Sequence, residues 1–237
     1  MVVLGDWGRS PRMQYHALSL ADQAHGHVHV VAYAGATPVG AVAGHKDITL
    51  CALPPPPDWL ARVLPRPLAL ACKALYQLLV LLAALLLRTP RCSHVLLQTP
   101  PCIPTFAACQ LACWLRGARL VTDWHNLGYT LLALSVRTGS LLVRLAERYE
   151  RALGRRAHAH LCVTHALAAE LRRPGWGVPN PVVLHDRPAR QFRHITDVGT
   201  KHALFQRLRP ILQASPAARS GTGAAARDWL SGERNSE

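Results

Sequence analysis

The stretch Val2–Ala21, "VVLGDWGRSPRMQYHALSLA", decides the fold. Val2, Val3 and Leu4 make a short continuous apolar run, the kind that builds a strand buried on both faces. Gly5 and Gly8 follow, and then Arg9 and Arg12 flank a Ser10-Pro11 step. Met13, Ala17, Leu20 and Ala24 recur at helical spacing, which predicts a helix over about Arg12–Ala24. Strand, loop and helix in that order open a βα unit. The loop is neither the G-x-G-x-x-G of a dinucleotide site nor the G-x-x-x-x-G-K of a P-loop.

Outward from this unit the pattern repeats. "HVHVVAYA" (His27–Ala34) and "DITLCAL" (ending near Leu53) read as strands, and "PPPPDW" breaks the chain because proline rings continue neither strand nor helix. A long apolar helix follows at about Leu68–Leu87. Then come a strand in "SHVLLQTPP" ending at Gln98, a helix over about Thr105–Leu115 and a strand over Arg119–Asp123. A helix over about Ser140–Leu153, a strand and helix in "AHLCVTHALAAELRR" and a last strand in "NPVVLHDRPA" complete the series. Apolar strands alternating with helices predict an α/β fold, a Rossmann-like doubly wound parallel sheet over residues 1–188. Residues 189–213 read as a linker, and 214–237, rich in small and polar residues, as a disordered tail.

Charge and cysteines narrow the function classes. Lys and Arg total 27 against 13 acids, a formal net charge of +14, which favours anionic partners such as phosphates and acidic lipid headgroups. Nucleic acid is excluded as the expected partner: aromatics are 6%, no nucleic-acid motif is present, and the basic residues are spread along the chain. The seven cysteines show no C-x-x-C spacing; Cys109 and Cys113 fall in an apolar stretch that reads as a buried helix, so reduced buried thiols are expected rather than zinc. The sequence starts in a strand and shows no secretory signal. In Leu68–Arg88 the apolar run is interrupted by Lys73 and Gln77, with Arg62, Arg66, Arg88 and Arg91 at its flanks. Three readings stay open for it: a buried domain helix, a helix on or dipping into a membrane face, and a span.

Ligands of such sheets bind at the carboxyl ends of the strands. Gly5–Arg12, Gln98–Pro101, Asp123–Tyr129, Thr164–His165 and His185–Pro188 are therefore the segments to read for chemistry. In the first, Gly5 and Gly8 free the backbone for close approach, Ser10 is a candidate helix N-cap, and Arg9 and Arg12 can fork onto phosphate oxygens. A plain strand-to-helix turn with solvated arginines is the alternative. In "VTDWHNLGY", Asp123 and His125 suit general-base catalysis, the acid fixing the imidazole tautomer, if the strand persists to His125. The alternative is an Asn/Asp turn. Asp186 lies on an extended exit from the domain, a ligand residue or part of a linker. His27 and His29 share a strand face and read as solvated positions before they read as a metal site.

"VVLGDWGRSPRMQYHALSLA", "LLQTPPCIPTFAACQLACWLRGARLVTDWHNLGYTLL", "LAERYERALGRRAHAHLCVTHALAAEL" and "VVLHDRPARQF" resemble the amino-terminal half of the chitobiosyldiphosphodolichol β-mannosyltransferases, from Val2 to about Leu208. The resemblance implies the amino-terminal, acceptor-side domain of a GT-B glycosyltransferase with its second domain missing. It implies inverting transfer of mannose from GDP-mannose to GlcNAc2-diphosphodolichol at the cytosolic face of the endoplasmic reticulum, with no cofactor and no obligatory metal. His125 or Asp123 would act as the base, and Gly5, Asp6, Gly8, Arg9, Ser10, Arg12, His16, Asn126 and Asp186 would bind substrate. Dolichol-linked diphospho-chitobiose, the membrane surface, other mannosyltransferases of the pathway and a separate donor domain are the partners it implies. The family carries an amino-terminal transmembrane anchor and a donor-binding second half, and neither is present in this sequence. The expectation is a truncated form with little activity alone, or else a non-catalytic lipid-diphosphate-binding half that needs a partner donor domain.

Overall fold

The computed structural model describes residues 1–57, 59–136, 140–188 and 194–214, with the side chains at 60, 61, 66 and 212–214 left aside. Strand β1 (Val2–Asp6) passes through a tight turn, Trp7–Arg9, into α1 (Pro11–Asp22). There follow β2 (Val28–Tyr33), α2 (Gly40–Ala43), β3 (Ile48–Leu53), α3 (Trp59–Val63) and α4 (Arg66–Ala83), which ends in a π-helical turn at Ala84–Arg88. Then come β4 (His94–Thr99), α5 (Thr105–Arg116), β5 (Arg119–Trp124), α6 (Gly128–Ser135), α7 (Leu141–Gly154), β6 (Ala159–Cys162), α8 (His165–Arg172) and β7 (Val182–Val183). These elements form one unit, Met1–Arg187. The second unit begins at Pro188 and holds α9 (Val198–Ala214).

All strands are parallel, in the order β3-β2-β1-β4-β5-β6-β7. The order reverses direction between β1 and β4, so a crevice opens at their carboxyl ends. Strand alternation feeds a core on each face. Val3, Val30 and Ala32 pack with Trp7, Met13, Ala17 and Ala21 from the first loop and α1. Val2, Leu4, Val31, Leu97 and Leu120 pack with Leu81, Leu85, Phe106, Cys109 and Leu171 from the helices of the other face. Trp124 closes this second core, 5.5 Å from the ring of Phe106 and 5.9 Å from that of Trp176.

Local chemistry sets the element ends. Pro11 opens α1, where a missing N–H costs nothing. Gly117, at φ 67°, ends α5 in the left-handed conformation that glycine adopts freely. Ser140 and Thr164 cap α7 and α8, each hydroxyl accepting from a main-chain N–H three residues on.

Four helices escape the sequence pattern. α2 lies between the stretches read as the second and third strands, and α3 starts right after the proline run read as a break. α6, "GYTLLALS", carries apolar residues all round, so no 3.6-residue stripe marks it. α9 runs through the span read as a linker to Ala214, the first residue of the expected tail, and no proline or second glycine interrupts the chain between Gly199 and Pro210. Of the expected tail, 214–237, residues 215–237 lie outside the described residues.

Candidate active site

The chain's first helix and fifth strand meet at one carboxylate. Asp123, fully buried at the carboxyl end of β5, takes Arg12 as a fork: Nε donates to Oδ2 at 2.8 Å and Nη2 to Oδ1 at 2.9 Å. Oδ2 also meets Nε2 of His16 at 3.2 Å and Nε2 of His125 at 3.0 Å. Arg12 and His16 sit one turn apart on α1, which brings both to the same side. The His125 N–H donates to the Thr99 carbonyl at 3.0 Å, so the β4–β5 ladder carries one residue past the strand. That extension puts His125 on the same side as Asp123, the condition the sequence left open.

Burial alone would push the Asp123 carboxyl up, but the hydrogen bonds from His125, His16 and Arg12 outweigh it and hold the group well below the usual carboxylate range. Burial likewise opposes the charge on Arg12, and its contacts with Asp123 and then Asp186 raise its pKa in spite of that. With Nε2–H given to Asp123, each imidazole keeps an Nδ1 lone pair, and the two ring side chains are 17% and 21% exposed. A buried acid that orients a partly exposed imidazole is the arrangement of a general base.

The Arg12 side chain is 10% exposed, and its Nη1 donates to the Leu184 carbonyl at 2.7 Å and to Asp186 Oδ1 at 2.9 Å. Two carboxylates and a carbonyl thus hold the guanidinium that the sequence offered as a phosphate fork. The Arg9 side chain is 82% exposed, with Asp6 at 3.4 Å.

Two further loop residues have roles the sequence did not show. The Asp6 carboxylate accepts from the Gly8 and Ala36 main-chain N–H groups at 3.0 Å and so fastens the first loop to the one after β2. Gly8 is required by that closeness, since a Cβ there would lie 2.1 Å from the Ala36 carbonyl oxygen. Ser10 stands at the N-cap of α1, but its hydroxyl donates to the Asp6 carbonyl at 3.0 Å and the helix has no side-chain cap. Gly5 has room for a Cβ, so sterics do not demand glycine there. Asn126 is exposed on the bend after β5.

Other segments divide in the same way. Gln98 pairs in register with Asp123, so both side chains point to one sheet face, and its buried Oε1 has no partner among the described residues. Trp124 belongs to the core, its indole N–H directed at His160 Nδ1 at 3.4 Å. Thr164 caps α8, and His165 and His185 stack edge to face at 5.2 Å. His27 pairs with Asp47 at 3.1 Å. Glu150 was missed altogether: this buried carboxylate accepts from the Gly128 and Tyr129 N–H groups at 2.7 and 2.9 Å and roots α6 beside the site. In sequence it sits inside "ERYER", which reads as a solvated face.

Comparison with known proteins places the whole chain. The chain is 44% identical over 214 residues to "UDP-glycosyltransferase TURAN" of Arabidopsis thaliana, covering 90% of this chain and 45% of that protein. It is 38% identical over 210 residues to the chitobiosyldiphosphodolichol beta-mannosyltransferase of Dictyostelium discoideum, covering 83% of this chain and 42% of the relative. The human protein of that name is 38% identical over 208 residues, covering 87% and 43%. The chain thus spans somewhat under half the length of the curated relatives it matches. Residues 8–187, from the second glycine of the first loop to the end of the first unit, match the family described as "Glycosyl transferase 4-like domain", and the chain belongs to that family.

Proposed function

We propose that this chain is the acceptor-side part of a β-mannosyltransferase that moves mannose from GDP-mannose to GlcNAc2-diphosphodolichol. The observation that carries the reading is the Asp123 carboxylate with two imidazoles on one oxygen, at the crevice of a glycosyl transferase 4-like domain. The names of the Dictyostelium and human relatives supply the substrate class.

In the proposed reaction, His125 Nδ1 takes the proton of the acceptor's 4-hydroxyl as that oxygen bonds to mannose C1. The bond from C1 to the diphosphate oxygen breaks on the opposite face, with inversion, and GDP leaves with the electron pair. Asp123 holds the His125 tautomer and stabilises the imidazolium that forms. Arg9 offers positive charge to a diphosphate. The scheme calls for no cofactor and no metal ion. A lipid-linked acceptor sets the work at a membrane surface, and we assign it to the cytosolic face of the endoplasmic reticulum.

The test is transfer of labelled mannose to a GlcNAc2-diphospho-lipid with a shortened tail, with and without a separately expressed carboxyl-terminal half of a full-length relative. Product from GDP-mannose in the combined reaction is expected. Product only from a UDP-sugar would assign a different donor. Acceptor binding without product in either arm would favour the non-catalytic reading.

A further inference from the structure

We infer that α4, α6 and the start of α7 form one surface that rests on an anionic bilayer, with α4 lying in the plane of the interface. This deepens the reading above by naming the surface and its pose, and rests on it only for the lipid-linked acceptor.

Pro67–Arg88 is 22 residues long and apolar enough to cross a membrane, yet only 17% of its 18-residue apolar window is buried inside the fold. Burial gathers at its carboxyl end, at Leu81, Ala84 and Leu85, whereas Leu68, Leu70, Leu75 and Leu79 are exposed. That end is tied down. Arg116 donates to the carbonyls of Leu86, Thr89 and Pro90 at 2.7–2.9 Å, Arg88 donates to that of Ala52 at 3.1 Å, and Gln77 donates to the Tyr33 hydroxyl at 3.0 Å. The helix is held at its middle and end, and leucines along the rest of it stay partly open to solvent.

α6 repeats the arrangement. Its N-terminus is rooted by Glu150, none of its own residues is buried, and Leu131 and Leu134 are exposed. Leu141, Leu142 and Leu145 are exposed at the start of α7, while Val143 and Ala146 of that helix are buried. α4 packs on α5, α5 on α7 and α7 on α6, so these helices line the same face of the sheet.

Charge identifies what covers the surface. α4, α6 and the first six residues of α7 carry no Asp or Glu, and Lys73 and Arg144 are exposed on them. An apolar face carried on an acid-free, basic stretch is complementary to anionic headgroups over acyl chains. Lys73 argues for the in-plane pose, because its stem can reach headgroups from the interface and a charge at the bilayer centre is costly. Spanning would also tear Gln77 from Tyr33. His125 lies three positions before Gly128, the first residue of α6, so this pose brings the site to the headgroup layer, where a lipid diphosphate lies.

The experiment is flotation of the purified chain with vesicles of phosphatidylcholine, with and without phosphatidylserine, containing no acceptor lipid. Its outcome therefore does not depend on the reaction. Expected are flotation with the anionic vesicles, release by a carbonate wash, and a drop in partitioning of about tenfold or more for the pair Leu131→Asp and Leu134→Asp. The pair Leu75→Asp and Leu79→Asp should behave alike, with circular-dichroism melts unchanged in both. Retention through the carbonate wash would mean a span and overturn the pose. No flotation, or a dimer in sedimentation that the Asp pairs split while flotation persists, would overturn the surface.

Discussion

Four contacts converge on the two oxygens of Asp123, and a neutral amide cannot receive them all, because half of it is itself a donor. Asp123→Asn would leave the Arg12 guanidinium nearly buried beside an uncharged group. It is expected to cost about 3–5 kcal/mol in urea unfolding and to lower transfer in the combined assay by roughly 10²–10⁴. The two histidines should part company under mutation. His125→Gln is expected to lower the transfer rate by roughly 10²–10⁴, and His16→Gln by clearly less. The reverse order would shift the base to His16. Residue types announced this site: an acid and a histidine at the end of a buried strand have little packing purpose. What the sequence could not show is that Arg12, which looks like a phosphate ligand beside Gly8, is claimed by a carboxylate 111 positions away.

Element by element, the loops are held by contacts that composition hides. Gly8 looks like a ligand-facing glycine and is in fact the point where the loops after β1 and β2 touch. Gly8→Ala must push the Ala36 backbone aside, and a loss of about 2 kcal/mol or more is expected in chemical denaturation. Glu150→Gln tests the root of α6. The glutamine offers one acceptor where the carboxylate offers two, so an N–H at Gly128 or Tyr129 goes unpaired. About 1–3 kcal/mol should be lost, with faster hydrogen exchange at those two amides. The parallel strands were readable because burial on both faces makes them continuous apolar runs. α3 and α6 were not: one hides behind prolines, and the other has no polar face to give it a period.

For the unit as a whole, Asp123 links stability to pH. Its folded pKa is depressed, so its contribution is fully present above the unfolded value of about 3.9 and is lost as pH falls below it. Wild type should lose about 1.4 kcal/mol per pH unit from this group below that point, and Asp123→Asn should lack the slope. Burial raises Glu150, offset in part by its two amide bonds, and this gives the opposite sign: its contribution is present below the unfolded value and falls as pH rises through the folded one. Urea midpoints of the two variants across pH 3–6 separate the groups. The Arg12 contacts bear finally on synthesis. Asp123 and Asp186 follow Arg12 by 111 and 174 positions. At roughly 5–20 residues per second, a nascent chain carries Arg12 without its last partner for on the order of ten seconds or more. A chain halted before Leu184 would hold that guanidinium from one side only, so the Asp123 carboxylate reaches its final setting only after both distant segments have been made.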